Sequence, residues 1–126
     1  MNNRVGIDFD GTIIPFGPLV DMDQPPFKRV PEALRLVKEA GYEIIILTSR
    51  LSPYWWNLDY ERFGAESPEA FGKAQIQYMH EYLKKWNIPY DLITCEKIPC
   101  RIYFDDMFIT INEENPLSVA IAKFLL

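Results

Sequence analysis

Four short stretches of this chain carry residues that could do chemistry together. The first is Asp8-Phe9-Asp10-Gly11-Thr12, two carboxylates two residues apart followed by a glycine that lets the chain turn. The second is Thr48-Ser49-Arg50, two hydroxyls and a cation. Lys97 is the third and Asp105-Asp106 the fourth. Singly, each has a plain structural reading: a threonine closing a strand, a solvated lysine, an aspartate pair shaping a turn. Together they read differently. Three or four carboxylates in one pocket repel one another unless a cation lies among them. A hard divalent ion such as Mg²⁺ needs only one or two of them and keeps water positions open for a phosphate oxygen. A remaining carboxylate is a nucleophile toward a phosphoryl group. Thr48 and Lys97 are donors for the oxygens of the group in transfer. The chemistry of such a set is metal-assisted phosphoryl transfer through an aspartyl-phosphate.

For the set to form, each stretch must end a strand of one sheet. Residues 4–8 (RVGID) read as a short buried strand. Pro15, Pro18, Pro25 and Pro26, with glycines at 11 and 17, make 11–30 a loop or small flap. Pro31 suits the first turn of a helix whose Ala33, Leu34, Val37 and Ala40 share a face, and Gly41 stops it. The run YEIIILT, 42–48, suits a strand buried on both faces, as in a parallel sheet. Ser67-Pro68-Glu69 opens a second helix, with a hydroxyl cap and proline in the first turn. Ile76, Met79, Leu83 and Trp86 form its core-facing stripe, Tyr78 and Tyr82 lie at the core edge, and His80 is exposed. Residues 91–95 and 101–105 read as strands, 108–112 as a short edge strand, and Asn115-Pro116 as the start of a last helix. Strands alternating with helices predict an α/β fold: a Rossmann-like three-layer sandwich around a parallel sheet. Such sheets bind ligands at their strands' C-terminal ends, where the strand order reverses.

The bulk numbers agree. At 126 residues the chain is one domain, and 48% hydrophobic with 25% charged residues is an ordinary globular balance. A net charge of -5 argues against bulk nucleic acid as partner, but not against a small phosphorylated substrate. Two cysteines, Cys95 and Cys100, with one histidine cannot complete a disulfide framework or a four-ligand zinc site, and are expected to be buried or half-buried reduced thiols. No apolar run approaches the ~18 residues of a membrane span. With no signal-peptide pattern before Asp8, the cytoplasm is the expected compartment.

DFDGT at 8–12, IIILTSR at 44–50, Lys97, and Asp105-Asp106 after a hydrophobic strand resemble, in this order, the four motifs of the haloacid dehalogenase (HAD) superfamily. The resemblance spans residues 4–111. Lys97-Ile98-Pro99 shortly before IYFDD is similar to small phosphatase-like members without a large cap. It implies a phosphohydrolase with Asp8 as nucleophile and Asp10 as general acid, then base. Gly11, Thr12, Thr48, Ser49 and Arg50 would line the substrate site, with Thr48 holding the phosphoryl group and Lys97 bridging it to Asp8. Mg²⁺ would be held by Asp8, the Asp10 carbonyl and the Asp105-Asp106 pair, Asp106 directly with Asp105 close by, or the reverse. An aspartate at position 10 turns the resemblance away from dehalogenation and toward phosphate substrates.

Neither the stretch after Thr12 nor that after Cys95 has room for a cap domain. Residues 51–66, with Tyr54, Trp55, Trp56, Tyr60 and Phe63, are an aromatic insert expected as a loop with a short helical turn. It would serve as a lid, a stacking platform or a homo-oligomer surface, against the simpler reading of packing on the chain's own helices. Arg50 is a substrate-anion contact or a surface arginine. A phosphotransferase of the same fold uses the same intermediate. A non-catalytic HAD-like binding module would be expected to lack one of Asp8, Asp10 and Lys97. A receiver domain would place its lysine after the last acids, whereas Lys97 precedes them.

Overall fold

The computed structural model describes residues 2–15, 23–105 and 116–125. Four strands, β1 (Arg4–Asp8), β2 (Glu43–Leu47), β3 (Leu92–Thr94) and β4 (Ile102–Phe104), form one parallel sheet in the order β3-β2-β1-β4. The helices are α1 (Val30–Glu39), α2 (Pro53–Asp59), α3 (Pro68–Lys85) and α4 (Leu117–Phe124). The edge strand expected at 108–112, the middle of the 11–30 loop and Asp106 lie outside the described residues.

The continuous apolar runs explain the middle of the sheet. Val5, Gly6 and Ile7 of β1 and Ile44, Ile45 and Ile46 of β2 are all buried, so both sheet faces are covered. Helices α1 and α4 pack together, as do α2 and α3, giving the layered α/β sandwich. Register runs Asp8 against Leu47 and Ile7 against Phe104, which brings the ends of β1, β2 and β4 level. The chain steps outward from β1 through β2 to β3, then returns to place β4 on the other side of β1. The reversal therefore opens a crevice between β1 and β4, beside Asp8.

Local signals set the helix limits. Ser67 accepts a hydrogen bond from the Ala70 N–H (3.1 Å) at the start of α3. Gly41, at φ 95°, ends α1 by donating to the Lys38 carbonyl, while Tyr42 N–H donates to Val37. Three expectations change. Ile76 is exposed, because α3 turns Phe71, Gln75, Tyr78 and Tyr82 inward beside Met79 and Leu83. It does so because it must cover the turn after β2 and α2 as well as the core. Ala40 is exposed as the cap of α1 rather than part of its buried face. The flap does not begin at Gly11: Gly11, Thr12, Ile13 and Ile14 are buried, and the Phe9 carbonyl accepts from the N–H groups of Thr12, Ile13 and Ile14 in one tight turn.

Candidate active site

A pocket of about 360 Å³ opens at the C-terminal edge of the sheet. Asp8, Leu47, Thr48, Ser49, Ser52, Cys95, Lys97 and Asp105 line it. All four strands contribute: Asp8 ends β1, Thr48 and Ser49 follow β2, Cys95 and Lys97 follow β3, and Asp105 follows β4. Four short stretches far apart in sequence meet here because each follows a strand of a parallel sheet in level register.

Thr48 is buried. Its Oγ1 accepts from the Arg50 N–H (3.1 Å) and so caps a single 3-10 turn, Ser49–Leu51. A hydroxyl that accepts in this way keeps its own proton to donate, and Thr48 lines the pocket. Lys97 also lines it, with Nζ 4.7 Å from the Tyr103 ring centroid. That ring stands over Gly6, where a Cβ would meet it at 2.4 Å, so the glycine makes room for the aromatic platform. Desolvation, followed by the hydrogen bond with Cys100, raises the Tyr103 hydroxyl above the usual phenol range and keeps it neutral.

Asp10 is paired with Arg50. Its carboxylate accepts from Arg50 Nη2 (2.7 Å) and from Arg50 Nε (3.0 and 3.2 Å), a two-pronged ion pair. Arg50 is not a surface residue. It is buried, with its guanidinium near the rings of Phe9 and Tyr78 (5.6 and 5.3 Å to the centroids). Asp8 and Asp105 thus line the pocket, and the Asp10 carboxylate is held by Arg50. Gly11 and Thr12 are buried in the turn behind it. Sequence reasoning missed Ser52 and the exposure of Cys95, which lies just past the end of edge strand β3 and is solvent-accessible rather than half-buried.

Metal fit turns on the same carboxylates. Among the described residues, no three histidine, cysteine or acidic side chains come together as a metal cage. Two carboxylates on neighbouring strands, Asp8 and Asp105, are a donor set suited to a hard cation that keeps several waters.

No family model and no curated protein matches this chain. Among solved structures it resembles a structural-genomics target from Vibrio cholerae. The identity is 24%, the TM-score 0.53, and the match covers 90% of this chain and 92% of that one. That likeness supports the α/β architecture. Among the described residues, no helix is long and apolar enough to cross a membrane.

The aromatic insert is mostly structure. Residues 53–59 form α2, followed by a turn at Gly64, where φ is 76°. Trp55 packs on Phe71 (4.8 Å between centroids), and its indole N–H donates to Asp59. Trp56 lies against Gly72, and its indole N–H donates to the Arg50 carbonyl (2.8 Å). Both indoles are half-buried on their own chain, while Tyr54 and Leu58 face solvent.

Proposed function

We propose that the chain is a Mg²⁺-dependent phosphohydrolase of the HAD type that forms an aspartyl-phosphate on Asp8. The observation that carries this reading is the gathering of Asp8, Thr48, Lys97 and Asp105, one from the end of each strand, around one small pocket. The pocket is at the low end of the ~300–1,000 Å³ range for small-ligand sites, which suits a phosphoryl group with the rest of its ester outside.

An Asp8 carboxylate oxygen attacks phosphorus, and the bond from phosphorus to the ester oxygen breaks. Asp10, protonated for this step, gives its proton to the departing oxygen and becomes the carboxylate that Arg50 holds. Thr48 Oγ1–H and the Lys97 ammonium donate to the phosphoryl oxygens as charge builds there. Water then attacks the phosphorus of the acyl phosphate and passes a proton to Asp10. Inorganic phosphate leaves and the Asp8 carboxylate returns. Asp8 and Asp105, with Asp106 beyond the described residues, would hold Mg²⁺. Bound there, the ion neutralises the carboxylates and the phosphate.

The test is a screen of the purified chain against phosphomonoesters (nucleotides, sugar phosphates, phosphorylated nucleic-acid ends and phosphopeptides), with Mg²⁺ present and after chelation. Release of phosphate from at least one class, lost with EDTA and restored by Mg²⁺, is the expected result. Release from none, or release indifferent to EDTA, overturns the reading.

A further inference from the structure

The Asp10–Arg50 pair has an unusual setting. Arg50 follows the pocket residues Thr48 and Ser49, yet its guanidinium is buried and turned back onto β1. Its guanidinium carbon lies over the rings of Phe9, the residue between the two aspartates, and Tyr78 of α3. Its backbone is tied at both ends: the N–H donates to Thr48 Oγ1, and the carbonyl accepts the Trp56 indole N–H at 2.8 Å. Trp56 in turn fits only because position 72 is glycine, where a Cβ would stand 2.5 Å from the indole. Asp10 therefore faces a cation that is fixed in place. Both of its carboxylate oxygens accept from Arg50, while its side chain keeps about a quarter of its surface exposed.

We infer that Arg50 is a positioning residue for Asp10, and that α2 serves through Trp56 as the scaffold of that pair. This rests on the phosphohydrolase reading, in which Asp10 moves the proton. The guanidinium fork fixes both the direction and the distance of the carboxylate, because its N–H groups are coplanar and diverge at a set angle. A lysine at the same place supplies charge without the fork. Arg50 Nη1 has no hydrogen-bond partner among the described residues, so Asp10 is the group that compensates this buried cation. Swinging Asp10 away would leave the charge exposed to an apolar interior, which keeps the carboxylate where the fork holds it.

The inference is tested by the leaving-group dependence of kcat/KM. An alkyl phosphate needs the proton from Asp10 as its ester bond breaks, whereas nitrophenyl phosphate expels a stable anion without it. Arg50→Lys is expected to lower kcat/KM about 100-fold for the alkyl ester and less than about 5-fold for the nitrophenyl ester. Asp10→Asn should show the same selectivity, and Arg50→Lys added to Asp10→Asn should cost almost nothing further, since the two act as one unit. Trp56→Phe removes the indole N–H together with part of the ring system that packs on Gly72. It is expected to give a selective loss of the same kind, about 5-fold, and it carries the test if Arg50→Lys fails to fold. Equal losses on both esters, or full additivity of the two substitutions, overturn the positioning role. A wild-type chain that releases phosphate from neither ester nor any other phosphomonoester of the screen under Mg²⁺ overturns the phosphohydrolase reading instead, and the positioning role with it.

Discussion

Asp8 and Asp10 are separated by one residue, Phe9, and meet different surroundings. Asp8, at the end of β1, faces a pocket that it shares with Lys97. Beyond it the chain bends at Gly11, where φ is 82°, and the Asp10 carboxylate meets Arg50 instead. In the proposed mechanism one carboxylate attacks and the other moves a proton, so their separate environments suit separate tasks. Replacing Asp10 with Asn is expected to lower kcat for an alkyl phosphate by about 10²–10⁴-fold and, by leaving the buried Arg50 without its counter-charge, to lower the melting temperature of a chain that still folds. Steady-state kinetics beside a circular dichroism melt check both halves. Of the candidate residues, Asp8, Thr48, Ser49, Lys97 and Asp105 were legible in the sequence because each follows an apolar strand, and strand ends converge in a parallel sheet. Arg50 was not. An arginine after a strand is usually solvated, and nothing local signals that Phe9 and Tyr78, from distant elements, enclose it.

At the scale of elements, β1, β2 and α3 were legible because period, cap and breaker agreed. The strand β2 is an unbroken β-branched run, and α3 opens on Ser67-Pro68-Glu69. The helix α2 was harder to read: its aromatics follow no helical period, and its position comes from tertiary contacts on α3. Gly72 carries that packing. Alanine there gains up to ~1 kcal/mol of helix propensity. It also drives a methyl into the Trp56 ring, which is half-buried and tied to Arg50, at a cost of about 1–3 kcal/mol. Gly72→Ala is therefore expected to destabilise the chain on balance, read as a lower urea midpoint at unchanged m-value. Asp91, just before β3, joins three elements: it accepts from Lys38 of α1 at 2.6 and 2.7 Å and from the Ile44 N–H of β2 at 2.8 Å. Burial pushes its carboxyl up, but the Lys38 and Ile44 donors outweigh that and hold it below the usual range. A lowered folded-state value means stability present above the unfolded carboxylate range and lost as pH falls through the folded one. Asp91→Asn is expected to cost about 0.5–1 kcal/mol at neutral pH. The gap between the two chains' unfolding free energies should close in strong acid; a gap independent of pH would remove Asp91 from that role.

For the whole molecule, strand order decides where chemistry can take place. The order β3-β2-β1-β4 puts the reversal beside Asp8, and level register brings the other strand ends to it. The alternation of strands and helices was enough to foresee that architecture. The sequence did not show that the segment after Thr12 would begin as buried core, since glycine and proline mark a turn without saying what lies over it. The pocket has no domain folded over it among the described residues, so its contacts suit the phosphoryl group more than the rest of a substrate. The central claim is the covalent role of Asp8. It is tested most directly by mixing the Asp10→Asn chain, slowed in hydrolysing its acyl phosphate, with nitrophenyl phosphate and Mg²⁺, quenching in acid, and sequencing the peptides by mass spectrometry. The expected result is one phosphoryl group on Asp8, stable to acid, released by hydroxylamine, and absent after EDTA. Turnover of the same ester by Asp8→Asn protein, or a turning-over chain that never carries phosphate on Asp8, would contradict it.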